Sequence, residues 1–116
     1  MKVIVNTDNN ITLTEDATLE LESVVQTSLD RFESHLTRVE VHLSDASAGR
    51  ITGEDIRCRL EARPKGRGPE FATHNASSTD AAVSGAMRKL VHVLDTTFGR
   101  IDQRKGGRSM GGIEPR

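Results

Sequence analysis

The hydrophobic period of this chain changes from three-and-four to two and back again, and the order of those changes leaves few folds open. From Ser78 to Lys105, apolar residues recur at Val83, Ala86, Met87, Leu90, Leu94, Phe98 and Ile101. That is the spacing of one buried helix face. Ser78 or Thr79, followed by Asp80, supplies an N-cap and a negative charge at the positive helix end. Arg100, Arg104 and Lys105 crowd the other end, where cations suit the helix dipole. Opposite the apolar stripe, Gly85, Arg88, His92 and Thr96 form a spine expected to face solvent, with Lys89 beside it.

The rest of the chain supplies the surface this helix must cover. Lys2 to Asn6 is a β-branched run that reads as a strand, and Asp8-Asn9-Asn10 is a turn cluster. Thr14-Glu15-Asp16 opens a first helix, with Thr14 as its N-cap. Its buried face is expected at Ala17, Leu21, Val24, Val25, Ser28, Phe32 and either His35 or Leu36. Leu19, Ser23, Gln26, Asp30 and Glu33 lie opposite, with no cation among them.

From Arg38 the period is two. Val39, Val41 and Leu43 point one way, and Arg38, Glu40, His42 and Ser44 the other. Asp45 to Gly53 is a polar connection. Ile56, Cys58, Leu60 and Ala62 then alternate against Asp55, Arg57, Arg59, Glu61 and Arg63. Pro64-Lys65-Gly66-Arg67-Gly68-Pro69 reads as a basic hairpin loop, because its prolines and glycines disfavour a strand interior. Glu70 to Asn75 alternates weakly and gives a fourth strand. The residues after Lys105 are aperiodic and glycine-rich. A flexible Gly/Arg tail is expected over 106–116, outside a single domain over 1–105.

The predicted order is therefore β-α-β-β-β-α, an α+β fold of two layers. The first strand, helix and second strand form a right-handed crossover, so those strands should be parallel. Short connections make strands two to four antiparallel. Two helices then pack on one face of a four-stranded mixed sheet, and the other face, carrying Arg57, Arg59, Arg63, Glu40 and His42, stays open to water.

Net charge is −1, which offers no bulk argument for nucleic acid or membranes. Its distribution is more informative. Residues 57–70 hold five cations against two acids, as do residues 99–116, whereas 15–33 holds six acids and one cation, Arg31. The single Cys58 excludes an internal disulfide and suits a reducing compartment. No stretch has the length of a membrane span, and the amino terminus lacks a signal-peptide pattern, so a cytoplasmic location is expected.

The pattern resembles the ribosome hibernation-promoting factors, also called ribosome-associated inhibitors or sigma-54 modulation proteins. The residues carrying the resemblance are LTEDA and LDRFESHL within Ile11 to Leu36, the strand VEVHL, and Asp80-Ala81-Ala82-Val83-Ser84-Gly85 followed by Lys89-Leu90. It spans about 1–105. It implies a fold like a double-stranded-RNA-binding domain, and a bacterial stress-response factor that silences translation by occupying the tRNA and mRNA region of the small ribosomal subunit. Lys and Arg side chains would hold ribosomal RNA phosphates there, a recognition by charge and shape that needs no aromatic platform. It implies no catalysis, cofactor, small-molecule substrate or membrane. Three departures stand out. The first helix is acidic where the family usually carries lysines, Asp80 replaces an aromatic, and a short form without the extra carboxy-terminal domain of long members is expected.

Candidate RNA contacts are Arg88, Lys89, His92, Arg100, Arg104 and Lys105 on the last helix, with Arg63, Lys65 and Arg67 at the hairpin. The competing reading of the helix cations is a solvated face with ordinary dipole compensation. For the hairpin and third-strand cations it is protection of a sheet edge. A divergent module of the same fold that binds a protein through its open sheet face or its acidic helix is the alternative function. His35, His42, His74 and His92 have no metal-ligand spacing, and Cys58 falls on the inward phase of its strand. No nucleophile motif or phosphate loop is present.

Overall fold

A computed structural model describes residues 1–8, 11–46 and 55–106, with side chains described as far as Gly99. The elements are β1 (Lys2–Thr7), α1 (Glu15–Ser28), a 3-10 helix (Asp30–His35), β2 (Leu36–Asp45), β3 (Ile56–Pro64), β4 (Glu70–Ala76) and α2 (Thr79–Gly106). The order matches the one expected from the sequence. Most of the connection expected at Asp45 to Gly53, and all of the tail except Gly106, lie outside the described residues.

Both helices start where their caps say. The Thr14 hydroxyl accepts from the Ala17 amide at 3.0 Å, and the Ser78 hydroxyl from the Ala81 amide at 3.2 Å. Each satisfies one amide that the first helical turn leaves without a partner. Ser78, not Thr79, is the second cap.

The four strands lie in the order β1-β2-β3-β4. β1 runs parallel to β2, with Val3 opposite Val39 and Val5 opposite Val41. β2, β3 and β4 are antiparallel neighbours, which sets Val41 opposite Leu60 and Leu60 opposite Ala72. One residue, Thr37, falls out of register between Leu36 and Arg38. Its hydroxyl donates to the Arg63 carbonyl at 2.9 Å, so this irregularity keeps that acceptor satisfied.

The inward phase of the strands, Val39, Val41, Leu43, Cys58, Leu60 and Ala62, is buried under α2 residues Ala82, Val83, Ala86, Met87, Leu90, Leu94 and Phe98. Burial pushes the Cys58 thiol up to about 12 and makes it a small core residue.

Two expectations about the helix faces need correcting. The buried face of α1 is not centred on Val24 and Ser28. Val24 is 46% exposed, Ala17 and Ser28 are exposed, and Val25, Leu29, Phe32 and Leu36 carry the burial. The α-helix stops at Ser28 and a tighter 3-10 helix follows, which turns Phe32 and Leu36 into the core and leaves His35 outside. The amino-terminal half of α1 instead borders a cleft of about 400 Å³, lined by Leu13, Leu21, Val24, Thr79 and Val83 among others.

The second correction is Gly85, which is buried rather than part of a solvent-facing spine. The His74 ring from β4 lies directly against it, and a Cβ there would occupy the ring's space. Edge strand β4 thus reaches up the flank of α2 and covers a position that helical spacing alone assigns to water.

Candidate nucleic-acid interface

α2 and β4 run antiparallel, as the pairings along their length show. His74 meets Gly85, Lys89 donates to the Thr73 carbonyl at 2.9 Å, and Thr97 donates to Glu70 at 2.9 Å. The second half of α2 therefore approaches the β3–β4 hairpin. Gly66 has φ 70, a left-handed conformation that glycine adopts without strain, and it turns the loop back on itself. The Lys65 amide donates to the His35 carbonyl at 2.9 Å and ties the loop to the 3-10 helix.

Arg88 and Lys89 are both exposed but occupy opposite flanks of α2. Arg88 lines a groove with Val24, Ser28, Met87 and Val91, on the α1 side. Lys89 leans over the β4 edge, where its ammonium satisfies a carbonyl that no further strand would pair. His92 is exposed one turn further along. Lys65 and Arg67 are exposed at the hairpin tip. Arg63 faces the opposite side of the sheet and pairs with Glu61 at 2.5 Å. The side chains of Arg100, Arg104 and Lys105 lie outside the described residues. The described candidates thus fall in three neighbourhoods: the outer side of α2, the hairpin tip, and the outer sheet face.

The surface of α1 is acidic along its first two turns, with Glu15, Asp16 and Glu20 exposed and no cation among its residues. Leu19 is 58% exposed on the same helix. Arg31, the lone cation of that stretch, is engaged by Asp95 of α2 at 2.7 Å. That exposed pair contributes little stability, about 0–1 kcal/mol.

The outer sheet face holds features that sequence spacing did not reveal. Glu40, His42 and Glu61 bring one ligand-type atom each within 4.8 Å of one another. Both carboxylates are already engaged by guanidinium groups. Arg38 Nε stands 2.8 Å from Glu40 Oε2, out of line with its N–H, so charge rather than a directed bond holds that pair. Glu40 also contacts His42 Nε2 at 3.1 Å. Two arginines against two acids make this a compensated ionic network, which a cation would have to dismantle. Beside it, Phe71 is 44% exposed, and the Arg59 guanidinium stands 4.5 Å above its ring. The weak alternation of β4 carried the only signal for Phe71, since residues 71, 73 and 75 share its outward phase.

The profile of the family described as sigma 54 modulation protein / S30EA ribosomal protein matches residues 4–101. A ribosomal subunit interface protein from Coxiella burnetii has a similar solved structure, with a TM-score of 0.65 at 13% identity. The match covers 85% of this chain and 99% of that one. The N-terminal domain of Thermus thermophilus Protein Y gives 0.59 at 20% identity, covering 78% and 91%. At these identities the two structures establish likeness of fold. No curated protein matches the chain significantly.

Proposed function

Since the chain belongs to the sigma 54 modulation protein / S30EA ribosomal protein family of non-enzymatic ribosome-binding factors, we propose that it silences translation by occupancy. It would sit in the tRNA and mRNA region of the small ribosomal subunit, held by basic contacts to ribosomal RNA. The observation that carries this reading is the family match over 4–101. The exposed cations of α2 and the hairpin, Arg88, Lys89, Lys65 and Arg67, support it as a source of phosphate contacts. Because α1 is acidic, those contacts fall to α2 and the loop.

Co-sedimentation with ribosomes over a salt series tests this. Pelleting at low salt that fades as salt rises is expected, because phosphate neutralisation releases counterions. The double substitution Arg88→Glu with Lys89→Glu should weaken pelleting about tenfold or more at fixed salt. Its salt slope should fall by about one for each phosphate that is no longer neutralised. Unchanged pelleting would remove α2 from the binding surface.

A second reading rests on the exposed Leu19 and Val24 within the acidic α1. In that reading the fold has turned to a protein partner. No pelleting at any salt would favour it.

A further inference from the structure

The face of the sheet turned away from both helices carries a charge excess that the α2 reading does not use. Register places Lys2, Arg38, Arg57, Arg59 and Arg63 there. Among the described residues, Glu40 and Glu61 share the face and are answered by Arg38 and Arg63, and Asp55 has the same outward phase just before β3. Lys2, Arg57 and Arg59 outnumber that third acid, so the face keeps a positive excess. Arg57 makes a neutral contact, its Nε donating to Asn75 Oδ1 at 3.3 Å. Arg59 stacks on the half-open ring of Phe71. Along β3 these two arginines recur every second residue, about 7 Å apart.

An aromatic face, a guanidinium plane above it and a neighbouring guanidinium make up the chemistry that recognises an unpaired nucleotide. A base can stack on the plane, and arginine forks suit phosphate oxygens. An acidic peptide would meet the arginines but leave Phe71 in water. A duplex would present phosphates with its bases stacked out of reach. We infer that the outer face of β3 and β4 binds a single-stranded segment of RNA, with Phe71 and Arg59 taking a base and Arg57 a backbone phosphate. The choice of RNA over DNA rests on the ribosomal reading; the surface itself does not.

Fluorescence anisotropy of a labelled oligouridylate, about a dozen nucleotides long, against the full chain at low salt tests the inference. Binding is expected to fall as salt rises. Phe71→Leu, which keeps apolar bulk and loses the π face, should weaken it about tenfold with melting temperature unchanged. Arg57→Glu with Arg59→Glu should abolish it, and Arg88→Glu with Lys89→Glu should weaken it much less than the sheet-face pair does. Absence of binding, binding that ignores Phe71→Leu, or equal competition by polyglutamate overturns the inference and leaves Arg59 and Phe71 as an edge-protecting pair. Ribosome pelleting of the same preparations is read separately. Its loss in the α2 variant alone bears on the proposed function and not on the sheet face.

Discussion

Gly85 and His74 show how much a single missing Cβ holds together. The imidazole lies in the space a side chain would take, so Gly85→Ala must push β4 away from α2 or rotate the ring. Such overpacking costs about 1–3 kcal/mol. A thermal melt should show the loss, and His74→Ala in the same chain should recover most of it. If Gly85→Ala melts unchanged, the ring moves freely and the contact is incidental. Cys58 makes a second residue-scale case. Its thiol is pushed up from 9.0 to about 12 by burial, so the folded state favours the neutral form. The full stability is present below pH 9, where both states hold the proton. Between 9 and about 12 the unfolded thiol ionises first, so the buried neutral thiol increasingly opposes folding as pH climbs. The native protein should therefore resist thiol alkylation at pH 8 and react fully in denaturant. Fast labelling of the native state would contradict the burial.

At the scale of elements, α2 is held by its apolar seam rather than by its charges. Phe98 packs on Phe32 with ring centroids 5.8 Å apart and stacks on His35 at 4.6 Å, joining the second half of the helix to the 3-10 segment. Phe98→Ala should cost about 3–5 kcal/mol. Asp95→Ala, which removes the exposed pair with Arg31, should change stability by less than about 1 kcal/mol. Denaturant titration of both variants checks the contrast, and comparable losses would assign α2 an electrostatic anchor. The helix starts were legible to within a residue because caps are local: Thr14 was read directly, and the structure chose Ser78 over Thr79. The seam of α1 was not. Helical spacing carried it through Val24, Ser28 and on to residue 36, whereas a change to 3-10 geometry after Ser28 moved burial to Leu29 and Phe32.

Over the whole molecule, one layer of helices on a sheet sorts the described candidate cations among two faces and one end. Arg88 and Lys89 lie on the helix side, Arg57 and Arg59 on the outer sheet face, and Lys65 and Arg67 at one end. The two double substitutions should therefore act additively, each weakening its own readout far more than the other's. Loss of both readouts from either variant would point to one continuous surface. The alternation of Val39, Val41 and Leu43 and of Cys58, Leu60 and Ala62 was enough to determine β2 and β3 and their inward faces, and with the helical periods and the runs at Lys2 and Glu70 it yielded the β-α-β-β-β-α order. Period and capping are written within a few residues, so the chain alone decided them. Which flank of α2 each cation occupies, that Gly85 is covered, and that Phe71 meets Arg59 beside Glu40, His42 and Glu61 were settled only by tertiary structure. Those facts depend on strand register and on β4 folding against α2, pairings between residues far apart in the chain that no local pattern encodes.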